Sequence, residues 1–230
     1  DMPDERGKSR SKMADNTRFM AKLAGRDSAR SMYAAVVDGM DQSIGKVLDT
    51  LDAEGLADNT IVLFFSDNGG AVYAIGGADN APLRGGKGDT FEGGIRVVAT
   101  VRWPEQIPPG SRVDSIMSVM DVLPTLAAAA GIEPSTHNRL DGRNMVAALT
   151  EAEAIPREDL LFFIAESPFK NTVNVTAFND EWKLVQRIET GFTSVDVTNF
   201  LFNIAEDPYE YQNLAQVHPD VVADLASEIR

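Results

Sequence analysis

No cysteine occurs in the 230 residues, which excludes disulfides, thiolate metal ligands and a cysteine nucleophile from this stretch of chain. Histidine is almost as scarce. Only His137, in a polar stretch, and His218, just ahead of a C-terminal helical pattern, are present. Catalytic histidines need a pocket and an orienting partner, so both read as surface or capping residues. Long hydrophobic runs are missing as well: Ile61–Phe65 and Leu126–Ala130 fall far short of the roughly 20 apolar residues of a membrane span. Basic residues are in the minority, 21 Lys and Arg against 35 Asp and Glu, for a net charge of −14. That balance repels phosphate backbones and argues against nucleic acid as a partner. The first residues, Asp1-Met-Pro-Asp-Glu5, show no basic leader followed by an apolar core, and they read as cut from something longer.

The composition that remains, 43% hydrophobic and 24% charged, is that of an ordinary globular protein with room for a sizeable core. Residues 1–30 are polar and mixed in charge, and they read as a surface segment or the tail of a missing region, with some helix near Phe19–Leu23. From Tyr33 through Val36, Val37, Met40, Ile44, Val47 and Leu51 the spacing is helical, and Gly55 stops it. Thr60–Phe65 is a continuous apolar run, predicting a strand buried on both faces in a parallel sheet. Ser66–Gly94 lacks periodicity and is dense in glycine; a loop this long in a compact domain is usually functional. Arg96–Val101 predicts a further strand, and Asp121 caps a helix running to Gly131. Together these elements predict an α/β layer arrangement. Beyond Gly142 the pattern changes to short strands at Leu160–Ile164, Val173–Phe178, Trp182–Ile188 and Phe200–Ile204. Asn179-Asp180 is placed as a hairpin turn, and Pro219 opens a final amphipathic helix. The expected division is an α/β part over 1–150 and a small antiparallel sheet with one covering helix over 151–230.

Two constellations carry chemistry. Ser66-Asp67-Asn68-Gly69-Gly70 directly follows the apolar strand, where α/β sheets place their ligands. Asp67 and Asn68 offer two hard oxygens, suited to calcium or magnesium more than zinc. The same Asp-Asn-Gly is also ordinary turn chemistry. The second is Pro82-Leu-Arg-Gly-Gly-Lys87-Gly88, followed by Glu92-Gly-Gly-Ile-Arg96. It is not a nucleotide-binding loop, because Gly88 stands where Ser or Thr should follow the lysine. A lysine between glycines can approach an anion closely, or simply lie in solvent. Arg84, Glu92 and Arg96 read as ions bracing the loop.

Taken in order, Tyr33–Gly45, Thr60–Gly70, Pro82–Gly88, Glu92–Arg96, Asp121–Thr125, Leu140–Arg143 and Asp207–Leu214 resemble the C-terminal half of a type I sulfatase, of the alkaline-phosphatase-like superfamily. The resemblance covers nearly everything from Tyr33 onward, and Leu201–Glu210 resembles the arylsulfatase B-like branch. It implies that Asp67 and Asn68 are two ligands of a calcium ion (magnesium being the alternative), and that Lys87 contacts the substrate sulfate and acts in catalysis. It further implies an alkaline-phosphatase-like α/β sandwich of which 1–150 is the C-terminal part. The substrate it implies is an aryl sulfate or sulfated carbohydrate, and the compartment periplasmic or secreted. The family's nucleophile is a formylglycine made from a Cys/Ser-x-Pro-x-Arg motif. No such motif occurs here, so nucleophile and remaining acidic ligands are expected in a missing N-terminal part, with which this chain would assemble. Alone it is expected to be inactive. Two other readings stay open: a phosphate or phosphonate ester hydrolase of the same superfamily, against which Asn68 in place of histidine argues, and a non-catalytic chain binding sulfated glycans. Substrate selectivity is assigned to loops such as Tyr73–Asn80 and Ser167–Asn174.

Overall fold

The computed structural model describes the backbone of residues 3–72, 77–132, 140–167 and 171–229, and the side chains of that set from residue 28 onward except Ser167. The first element, α1, is a single helix from Pro3 to Ala53. It therefore runs through the whole N-terminal segment, where helix was expected only near Phe19–Leu23. Lys, Arg, Met and Ala make up half of residues 1–30, and their summed helix propensity outweighs Gly7 and Gly25. The helix closes at Gly55, whose φ of 68° is open to a residue without a Cβ. There the Leu56 N–H reaches back to the Leu51 carbonyl at 2.9 Å and the Gly55 N–H to Asp52 at 3.2 Å, a Schellman closure. Tyr33, Val36, Val37 and Met40 lie exposed on α1, Val36 to 70%.

A one-turn 3₁₀ helix (Ala57–Asn59) leads into β1 (Val62–Phe65), which pairs with β2 (Ala99–Arg102) in antiparallel register, Val62 opposite Arg102 and Phe65 opposite Ala99. The parallel sheet expected here is corrected by that pairing. An apolar run fixes a strand but not the direction of its neighbour, and within this chain β1 is only half-buried, with Phe65 38% exposed. Between β1 and β2 lie the glycine-rich loops and the single turn α2 (Glu92–Ile95). Then come α3 (Val122–Ala129) and the short α4 (Val146–Thr150).

Asp121 precedes α3, but its carboxylate does not cap it. It is fully buried, pairs with the buried guanidinium of Arg157, and accepts the backbone N–H groups of Ser118 at 2.7 Å and Arg143 at 2.8 Å. Ser118 caps the preceding 3₁₀ turn instead.

The C-terminal part is a four-stranded antiparallel meander of β3 (Leu161–Ser167), β4 (Thr172–Phe178), β5 (Trp182–Thr190) and β6 (Val195–Asn203), in that spatial order. Asn179 sits in the β4–β5 turn, its side-chain oxygen accepting from the N–H of Glu181 at 3.0 Å and Trp182 at 2.9 Å. Both faces of the sheet are used. Leu184 and Leu201 pack with Leu225, Val221 and Val222 of the terminal helix α5 (Pro219–Glu228). On the other face Val185, Phe200 and Phe202 pack on Phe91, at the start of α2. No helix among the described residues is long and apolar enough to cross a membrane.

Candidate active-site loops

The chain after β1 turns at once into Ser66–Gly70. Ser66 is tied to the edge of β2 by its N–H to the Val98 carbonyl at 3.2 Å, and its hydroxyl donates to the Asn68 carbonyl at 2.8 Å. This fixes the backbone carrying Asp67 and Asn68. Asp67 is exposed and Asn68 half-buried. The donor set fits a hard divalent cation in part: one carboxylate and one amide carbonyl, of the six to eight oxygens calcium takes. Among the described residues no three His, Cys, Asp or Glu side chains group as a complete metal site.

The second loop, Arg84–Gly94, is laid directly against the first. The Lys87 N–H donates to the Gly70 carbonyl at 3.1 Å, and the Gly69 N–H donates to the Gly94 carbonyl at 2.9 Å. Only glycine permits this approach. A Cβ on Gly69 would stand 1.7 Å from the Gly93 carbonyl oxygen, and one on Gly94 would stand 2.1 Å from that of Asp89. Asn80 stitches the loops further: its Oδ1 accepts from the Gly70 N–H at 2.9 Å, and its Nδ2 donates to the Gly70 carbonyl at 2.9 Å and the Gly85 carbonyl at 3.1 Å. The structure thus brings the backbones of Asp67-Asn68 and Lys87 together at one end of β1. The Lys87 side chain is exposed, and no ion pair among the described residues engages it or Asp67.

Beneath Lys87 the loop rests on the C-terminal sheet. Asp89, Thr90 and Glu92 meet Asn174, Thr176 and Lys183: Asn174 donates to Asp89 at 2.9 Å, Thr176 to Thr90 at 2.6 Å, and the buried Lys183 ammonium reaches Glu92 at 2.7 Å and Glu210 Oε1 at 2.9 Å. The last contact is a charge pair without good hydrogen-bond direction, leaving Oε1 with no well-aligned donor. Burial pushes the Glu210 carboxyl above its ordinary pKa, opposed by the Lys183 charge and by the Glu92 N–H that it accepts. Arg84 lies over the Phe91 ring, 4.2 Å from its centroid, and donates to the Glu210 carbonyl at 3.3 Å. Arg96 sits 3.6 Å from Glu92. Arg84, Glu92 and Arg96 therefore brace the loop, as expected.

Glycine-loop geometry of this kind coincides with two family matches. The "Sulfatase" model matches residues 1–132, and "N-sulphoglucosamine sulphohydrolase, C-terminal" matches residues 87–230. The chain belongs to the sulfatase family. Steryl-sulfatase of Rattus norvegicus is 45% identical over 128 residues, 53% of this sulfatase chain and 22% of the rat protein. A sulfatase of Formosa agariphila is 33% identical over 207 residues, 81% of this chain and 36% of that one. Among solved structures, Ps i-CgsB superposes with a TM-score of 0.74 at 31% identity, over 86% of this chain and 42% of the other. These neighbours give the sulfatase chain its alkaline-phosphatase-like fold, with the small sheet and terminal helix. The chain thus spans well under half the length of the relatives it matches.

His218 stands at the N-terminus of α5 with its ring 5.3 Å from that of Trp182, a packing position. His137 lies outside the described residues, as do parts of both loops assigned to substrate selectivity. Sequence reasoning missed Asn80, Lys183 and any role for Glu210. Lys183 did leave a signal, a lone charge inside the apolar run Trp182–Val185.

Proposed function

We propose that this chain supplies part of the active site of a sulfuric ester hydrolase: Asp67 and Asn68 as two oxygen ligands of a calcium ion, and Lys87 as the cation that contacts the substrate sulfate. The observation that carries this reading is the backbone junction of the two loops, Lys87 to Gly70 and Gly69 to Gly94, within a chain of the sulfatase family. That junction supports the reading by holding the backbone at Lys87 against the turn that carries Asp67 and Asn68. A bound divalent cation supplies Lewis-acid polarisation of the sulfate oxygens. Lys87, a compact charge on a flexible stem, offsets charge that develops on the transferring group and leaving oxygen. The nucleophile, expected as a formylglycine, is not among these residues. A sulfated carbohydrate is the favoured substrate class, supported by Ps i-CgsB, whose structure was also solved in complex with k-i-k-neocarrahexaose.

The test is to express the chain together with the coding sequence upstream of it and to measure sulfate release from an aryl sulfate and from sulfated oligosaccharides, with matched phosphate esters alongside. Sulfate esters should turn over, and Lys87→Ala should lower kcat by about 10²–10³-fold, the usual loss for one oxyanion-stabilising donor. Asp67→Ala should weaken calcium binding measured by calorimetry. Absence of sulfate turnover, or a Lys87→Ala variant as fast as the parent, would remove the basis of this reading.

A further inference from the structure

Lys183 is a charged side chain with no exposed surface, near the start of β5, where the next residues Leu184 and Val185 are core. Burying an ammonium this completely is costly unless its charge and its donors are matched. Two carboxylates from distant parts of the chain match them: Glu92 at 2.7 Å and Glu210 at 2.9 Å, and the Phe178 ring centroid lies 5.7 Å from the ammonium. Glu210 also accepts the Glu92 backbone N–H at 2.8 Å. The ammonium therefore joins β5, the turn at Glu210 and the first residue of α2 at one point.

What hangs from that point is the proposed sulfate-contacting loop. From Glu92 the next residue, Gly93, donates to the Arg84 carbonyl at 2.6 Å, closing the base of the loop that carries Lys87. Gly94 accepts from Gly69, two residues beyond Asp67, and Lys87 itself donates to Gly70. Glycines at 85, 86, 88, 93 and 94 give this loop little stiffness of its own. Its shape must come from what it rests on. We infer that Lys183, through Glu92 and Glu210, is a positioning residue for Lys87, holding the glycine loop so that its lysine stays beside the Asp67-Asn68 turn. This rests on the proposed role of Lys87 and adds to it a buried element that touches no substrate.

The experiment uses the full-length protein and two readouts. In Lys183→Met the backbone amides of Gly69, Lys87 and Gly93 should exchange with deuterium about tenfold faster or more, while the amides at the centre of β4 and β5 keep their protection. In steady-state kinetics Lys183→Met should lower kcat about 100-fold, the scale of a misplaced catalytic group, with KM little changed. When Lys87 is already alanine, the same substitution should cost no more than about twofold further, because the two act as one unit. Glu210→Gln keeps the size and the acceptor for the Glu92 N–H, and it carries both readouts should Lys183→Met not fold. Unchanged exchange at the loop amides, or full additivity with Lys87→Ala, overturns the inference. Should Lys87→Ala itself leave sulfate turnover intact, the catalytic reading of Lys87 fails instead, and the exchange measurement alone then decides whether Lys183 anchors the loop.

Discussion

Gly69→Ala is the sharpest perturbation of the loop junction. The new methyl would lie 1.7 Å from the Gly93 carbonyl oxygen, 2.7 Å from the Gly93 carbonyl carbon and 3.2 Å from the Gly94 Cα. All three neighbours are backbone, so no side chain can swing aside. Since real Cβ atoms keep at least 3.0 Å from such a neighbour, the two loops would have to part by about 1.3 Å. That displacement also breaks the Gly69 to Gly94 hydrogen bond of 2.9 Å. Overpacking of this kind costs about 1–3 kcal/mol and the lost bond about 1 kcal/mol, so a loss of about 2–4 kcal/mol is expected. The matched control is Gly39→Ala on α1, where the added methyl meets nothing within 4 Å. There the same chemical change should stabilise by about 0.5–1 kcal/mol, through helix propensity. Urea unfolding of the full-length protein measures both. If Gly69→Ala unfolds at the same urea concentration as Gly39→Ala, the loops are not in the contact described and the geometric argument fails.

Two further outcomes follow from the buried charges. Glu210 has its pKa raised above 4.5 by burial, so between 4.5 and that higher value the folded protein holds a proton that the unfolded chain has released. Stability from this group is full below pH 4.5 and falls as pH rises through the folded value; Glu210→Gln should therefore gain on the parent as pH is raised, and a pH-independent difference in unfolding free energy refutes the assignment. Asp121→Asn leaves the Arg157 guanidinium buried without its counter-charge, which should cost about 3–5 kcal/mol by thermal or urea unfolding, and a loss under 1 kcal/mol refutes the buried pairing of Asp121 with Arg157.

Much of this was legible in the sequence because the signals are local. The Tyr33–Leu51 spacing, the apolar run at β1, the short strands and the Pro219 start each depend on a few neighbouring residues, and the ordered glycine motifs pointed to the family. The partner of β1 was not legible, since an apolar run carries no information about the direction of the strand beside it. Nor was the continuation of α1, whose polar N-terminal half has propensity but no amphipathic stripe. At the candidate site the sequence marked Asp67, Asn68 and Lys87. It gave no sign that Asn80 clamps Gly70 to Gly85, because an Asn two residues before a proline looks the same whether it turns or clamps. Glu92, Lys183 and Glu210 lie 91 and 27 residues apart, and only the fold brings them together.

The two-sided use of the β-meander has a consequence for how strictly its strands are aligned. Lys183 stands opposite Phe202 and Leu184 opposite Leu201, and the two residues serve opposite faces. A shift of one residue along β5 would push an ammonium into the oily seam under α5 and leave a leucine facing two buried carboxylates. Misalignment is thus penalised twice, once by desolvated charge and once by lost apolar contact. A sheet guarded by a single greasy face has only the apolar penalty.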